Sequence, residues 1–271
     1  MNYHHLSHSQ IEYFADSLNK RYDPVRLKEP KPIDVYDIID LVGAKTAIDC
    51  LSPDMTYLGI TIFQTRYVYI WPGNPYRAGM MPTRKLYTSD TIIIEKYLNE
   101  SPYEHDHYKE NFTVAHECFH FSQHRYYFTQ NNNNSIFYNS DQKQQIDYKT
   151  DRFVEHEANY GAATLLMPRQ AVIHAAHELL HYNDQIINSA EVPKCIIKQM
   201  GQLFGVNYSP IFYRLLELKI ISEDKPAPQF NDHQRTPNLL PADNLSLPRN
   251  YFPGSNLQKQ IIPENPLQPL L

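Results

Sequence analysis

The sequence predicts an α+β fold: a small, mostly antiparallel sheet packed against helices, one of which carries an HExxH pentapeptide into the core. Three observations point to it. Apolar residues alternate within residues 57–71, which is the period of strands. Residues 111–126 are apolar over more than half of a helical circumference, as expected of a buried helix. After Pro193, two helical stretches flank a short glycine turn, the outline of a C-terminal helix-turn-helix-like subdomain.

In chain order, residues 1–10 are polar and histidine-rich, without the apolar core of a signal peptide. Residues 11–21 and 35–42 read as helices, the second capped by Asp34 and stopped by Gly43. Strands are expected around residues 59–63 and 67–70, turning near residues 64–66. Trp71-Pro72-Gly73-Asn74-Pro75 breaks the pattern, and residues 91–95 give one more strand. Residues 152–167 have helical spacing, with Phe153, Ala158, Ala162 and Leu165 as packing positions. Pro168 ends that helix by disfavouring helical geometry in the residue before it.

From Pro193 the apolar register runs through Ile197, Met200 and Phe204, then Gly205, then Phe212, Leu215 and Leu216. Reading DNA needs basic and amide side chains early in the second helix. Here Ser209-Pro210-Ile211-Phe212-Tyr213 is followed by Arg214 as the only basic residue, so direct DNA binding is disfavoured. A packing appendage that helps to grip a protein substrate is the better expectation. Beyond residue 223 the composition shifts to proline, asparagine and isolated leucines, as in a tail or linker.

The chain has 271 residues, 42% of them hydrophobic, enough for one moderate core with an appendage. A formal charge of −5 gives no global attraction to nucleic acid. Cys50, Cys118 and Cys195 are odd in number and widely spaced, which points to reduced thiols rather than a disulfide framework. No apolar run approaches the length of a membrane span, and the expected location is the cytoplasm.

HExxH occurs twice, as His116-Glu117-Cys118-Phe119-His120 and as His177-Glu178-Leu179-Leu180-His181. On a helix it sets two imidazoles on one face, where both can bind one zinc ion. The glutamate between them can take a proton from a water that the metal acidifies. An accidental copy is expected in about three such chains per hundred, so one of the two is open to coincidence. Helical phase separates them. In the second copy, Val172, Ile173, Ala176, Leu179 and Leu180 share a stripe, while His174, His177 and His181 fall almost opposite, on a water-facing side. In the first copy, Phe112, Val114, Ala115, Cys118, Phe119 and Phe121 leave His116 and His120 in a narrow remaining arc. Buried imidazoles need partners, and a metal is one.

A zinc enzyme also needs a third protein ligand and an open fourth position. Glu155 and Asn159 lie at i and i+4 downstream, so Glu155 can bind the metal while Asn159 hydrogen-bonds a ligand histidine. Glu157 is the reserve candidate, with a solvated helix charge as its simpler reading.

Phe112 to His120, then Glu155-His156-Glu157-Ala158-Asn159, then Ala162-Ala163-Thr164-Leu165-Leu166-Met167-Pro168, resemble the ImmA/IrrE family of metallopeptidases. The family pattern is a run such as FTxAHExxH, then E-x-x-A-N, then A-A-x-L-L-M-P. Residues 32–39 resemble the family's N-terminal helix, residues 57–69 and 86–94 resemble its strands, and the likeness covers roughly residues 8–221. The resemblance implies zinc ligands at His116, His120 and Glu155 and a general base at Glu117. It also implies cytoplasmic, site-specific proteolysis of helix-turn-helix repressors encoded in prophages, mobile elements or stress regulons. The chain departs from the pattern in a long insertion around Asn131 to Asn134 and in its tail.

The expected division is a metallopeptidase-like domain over residues 1–190, a helical appendage over 191–222 and a proline-rich tail over 223–271. Two alternatives stand beside the peptidase. One is a regulatory protein that uses zinc structurally and binds a repressor or DNA without cutting. The other is a component of a toxin–antitoxin pair. Glu117 favours the enzyme, because a purely structural site does not need a carboxylate there.

Overall fold

The computed structural model describes residues 5–52, 55, 57–72, 81–130 and 148–223; the asparagine-rich insertion and the proline-rich tail lie outside them. The run Thr91-Ile92-Ile93-Ile94-Glu95 forms strand β5 (Thr91–Glu95), buried along its whole length. A strand covered on both faces has no reason to alternate, hence the continuous apolar run. It is the central strand of a sheet ordered β1-β5-β2. Strand β1 (Lys45–Asp49) runs parallel to it, and β2 (Gly59–Ile62) antiparallel.

The sheet is therefore mixed rather than mostly antiparallel. Strand β1 carries no apolar alternation and is half exposed, so its sequence gives little sign of a parallel neighbour. The two strands expected to turn back on each other do not pair. Instead, β3 (Arg66–Ile70) pairs with β4 (Thr83–Tyr87) as a separate antiparallel ribbon. Alternation fixes which way each side chain points, but not which strand lies alongside.

Ile92 and Ile94 face the helices, whereas Ile93 joins Ile60, Ile62, Val68 and Tyr87 in a cluster that seats the ribbon on the sheet's far side. Gly59 pairs with Ile94 and Thr61 with Ile92, so a glycine and a hydroxyl lie on the helix-facing side of β2.

Helix α1 (His8–Tyr22) begins with a capping box between Ser7 and Gln10. Helix α2 (Val35–Val42) is capped by Asp34 and stops at Gly43, which takes φ 79°. After the short helix α3 (Lys96–Glu100) comes α4 (Glu104–Phe119). It runs into one π-helical turn, His120–His124, and then α5 (Arg125–Gln130). Helix α6 (Tyr148–Leu166) packs against α4 and α1. Helices α7 (Arg169–Leu180), α8 (Lys194–Phe204) and α9 (Tyr208–Glu217) follow. Ile197, Met200, Phe204, Ile211 and Leu215 of the last two join the same apolar core as Val114 and Ala162.

Two buried arginines cap the end of α6, whose last carbonyls have no partner within the helix. Arg26 donates to Leu166 O at 3.1 Å, and Arg214 Nε donates to Met167 O at 3.2 Å. Arg214 is fully buried and also pairs with Glu217 at 3.2 Å. The one basic residue of the second appendage helix is thus committed to the interior.

Helices α4 and α6 are in close contact at Gly161, where an added Cβ would lie 2.0 Å from Cδ2 of Phe119. Phe119 is itself buried, its ring packed edge-on against Phe14 and His124. Gly161→Ala is expected to cost about 3 kcal/mol, the upper end for overpacking. That corresponds to a Tm lowered by roughly 6–12 °C. A thermal melt within a degree or two of wild type would contradict this account of the contact between the two helices.

Candidate metal centre

Helix α4 carries His116 on its last full turn, and His120 opens the π turn. Glu155 projects from α6 towards both. Its Oε2 lies 3.3 Å from His116 Nε2, its Oε1 lies 3.3 Å from His120 Nε2, and the two Nε2 atoms are 2.9 Å apart. The donor atoms of all three residues fall within 4.8 Å of one another, and among the described residues this is the one histidine–carboxylate group of that size.

The outer ring nitrogens are occupied. His116 Nδ1 is 3.0 Å from Asn159 Oδ1, one turn beyond Glu155 on α6. The amide oxygen can only accept, so His116 carries its proton on Nδ1 and turns the Nε2 lone pair inward. His120 Nδ1 is 2.9 Å from His124 Nδ1. Two inward lone pairs at 2.9 Å with a carboxylate beside each repel unless a cation or proton lies between them. The donor set therefore fits a divalent metal.

Burial opposes charge on Glu155, yet the imidazoles of His120 and His116 hold its carboxyl well below the usual carboxylate range. Burial pushes His120 down, which favours the neutral ring that a metal requires. Burial works the same way on His116, but Glu155, Glu117 and Asn159 together outweigh it and raise that imidazole.

Glu117 is buried beside the group, held by the sheet. Thr61 Oγ1, on the helix-facing side of β2, donates to Glu117 Oε2 at 2.6 Å. Gly59 is the close approach that makes this possible. A Cβ there would sit 2.8 Å from Glu117 Cγ and 3.0 Å from its Oε1. Gly59→Ala should displace the Glu117 carboxylate while His116, His120 and Glu155 stay in place. The expected result is a loss of peptide hydrolysis with metal content unchanged. Full activity in this variant would show that Glu117 does not need its present position.

The second HExxH copy has no comparable geometry. His174 and His177 lie on the exposed side of α7, while His181 has left the helix as its cap at φ 51°. His177 bonds to the carbonyl of Tyr182, and His174 lies 3.2 Å from Glu178.

Glu157 requires a correction. It is not a solvated charge but a buried one, 3.2 Å from His124 Nε2, with Leu6 N donating to it at 3.0 Å. Helical phase alone turned it away from Glu155 and left its partners unseen. His124 had a readable signal, as it continues the four-residue spacing of His116 and His120. Thr61 and Gly59 had a weaker one, a small and a hydroxyl residue interleaved with isoleucines in a strand.

Two helix-borne histidines and a glutamate, their donor atoms within 4.8 Å of one another on an α+β fold, form a group that could hold a metal ion. The family model described as the IrrE N-terminal-like domain, Peptidase_M78, matches residues 56–216. That is more than half the chain, and it belongs to this family. A comparison with curated proteins gives no match.

Proposed function

We propose that the protein is a cytoplasmic zinc metallo-endopeptidase of the HExxH type. Its metal ligands are His116, His120 and Glu155, and its general base is Glu117. The observation that supports this best is the convergence of two imidazole Nε2 atoms and one carboxylate beside a buried glutamate. Two nitrogens and one oxygen suit zinc, and three protein ligands leave a position for substrate. Such an ion supplies Lewis acidity, polarising a scissile carbonyl and making water easier to deprotonate.

The remaining steps belong to the chain. Thr61 pins Oε2 of Glu117, which leaves Oε1, against the bare Cα of Gly59, to take a proton from the attacking water. The same carboxyl then delivers the proton to the leaving amine. Asn159 keeps His116 in the tautomer that points Nε2 inward.

The substrate we propose is a helix-turn-helix repressor of a prophage, mobile element or stress regulon, as the family likeness implies. The rival in which the C-terminal helices contact DNA is weakened by the burial of Arg214. A regulatory binder or toxin-pair component that uses the metal only structurally leaves the Thr61–Glu117 pair without a purpose. No described helix is long and apolar enough to cross a membrane, which accords with a substrate met in solution. The test is to incubate the purified protein with any helix-turn-helix repressor encoded beside it, with and without chelator. A discrete cut that chelator abolishes is the expected result; an intact repressor under both conditions counts against this substrate.

A further inference from the structure

Behind the metal group, His120 leads into a buried polar pair, His124 and Glu157, that the peptidase chemistry does not use. His120 Nδ1 is 2.9 Å from His124 Nδ1, His124 Nε2 is 3.2 Å from Glu157 Oε2, and Glu157 Oε1 is 3.0 Å from Leu6 N. His5 Nδ1 lies 3.4 Å from the same Oε1. His124 is completely buried and Glu157 is 4% exposed. The widened π turn carries His120 and His124, and such turns concentrate at functional sites.

Taking Glu157 as a carboxylate and His124 as a neutral ring, the direction of the hydrogen bonds from Leu6 to His120 follows. Leu6 N–H can only donate, so Glu157 Oε1 accepts. A carboxylate also accepts at Oε2, so His124 carries its proton on Nε2. The lone pair of His124 then lies on Nδ1 and accepts from His120 Nδ1–H. His120 is left with its lone pair on Nε2, the atom turned towards His116 and Glu155. With Glu157 ionised and both imidazoles neutral, the tautomer left to His120 is the one a metal ligand needs.

We infer that His124 and Glu157 are positioning residues for the metal centre: together they fix the tautomer and ring orientation of His120. This rests on the ligand set proposed above. It adds that the centre is braced from both sides, through Asn159 on His116 and through this line on His120. The line ends on Leu6, outside the family-matched residues 56–216, so the N-terminal segment is joined to the metal centre by hydrogen bonds.

The test measures zinc affinity of the full chain by competition with a chromophoric chelator, with apo-protein melts as a check of folding. His124→Phe keeps a ring but removes both hydrogen bonds, and zinc should bind about 10–100-fold more weakly. His124→Asn places an oxygen as far from Cα as the imidazole Nδ1. It should recover much of the loss, because the acceptor for His120 is restored. Glu157→Gln sets one amide donor against either His124 or Leu6, and it should also weaken zinc. A merely structural role would lower the apo melt but leave zinc affinity within about twofold of wild type. That result in both His124→Phe and Glu157→Gln overturns the inference; where His124→Phe does not fold, Glu157→Gln decides. His120→Ala separates the two levels. If it binds zinc like wild type, the ligand set itself is wrong. If it loses zinc while the His124 and Glu157 variants do not, only the positioning role fails.

Discussion

Glu117→Gln should leave the fold and the metal content intact while lowering peptide hydrolysis by about 10²–10⁴-fold, the usual size of a lost general base. The substitution is close to isosteric, and Thr61 Oγ1 can donate to the glutamine carbonyl as it does to Oε2 at 2.6 Å. The carbonyl side of the new amide therefore has a reason to face Thr61, and the NH2 group takes the place of Oε1. A group that can only donate there cannot receive the proton of an attacking water. None of the three proposed ligand residues is altered. A binder that uses its metal structurally would keep its biological effect in this variant. If Glu117→Gln relieves repression in cells as fully as wild type does, the peptidase reading gives way to the binder.

The features legible in the sequence were those written along a single helix. His116 and His120 four residues apart, and Glu155 and Asn159 four apart, need only helical phase to be set on common faces. Asp34 and Gly43 marked both ends of α2 by their own backbone preferences. The features that stayed hidden depend on which segments meet. Strand β1 is read as a strand only once β5 lies beside it, and β2 and β3 look like a hairpin until β4 takes β3 away. Glu157 looks like a surface charge until His124 and Leu6 close over it. Arg214, noted in the sequence only as the lone basic residue of its helix, caps the Met167 carbonyl in the interior. In each case the deciding partner is distant in sequence, and periodicity carries no information about it.

The second large effect is the loss of the metal itself. Two imidazoles and a carboxylate supply all the proposed protein ligands, so removing either histidine leaves too few donors to hold zinc against competing chelators. The second HExxH copy offers a contrast within the same chain. His177 and His181 are exposed, and the left-handed backbone of His181 takes it off the helix that carries His177.

Metal content per chain, measured by elemental analysis on purified variants, tests the central claim most directly. Wild type should carry one zinc, His116→Ala and His120→Ala should carry almost none, and the His177→Ala/His181→Ala double variant should match wild type. Zinc lost from the double variant and retained in the two single ones would contradict the account.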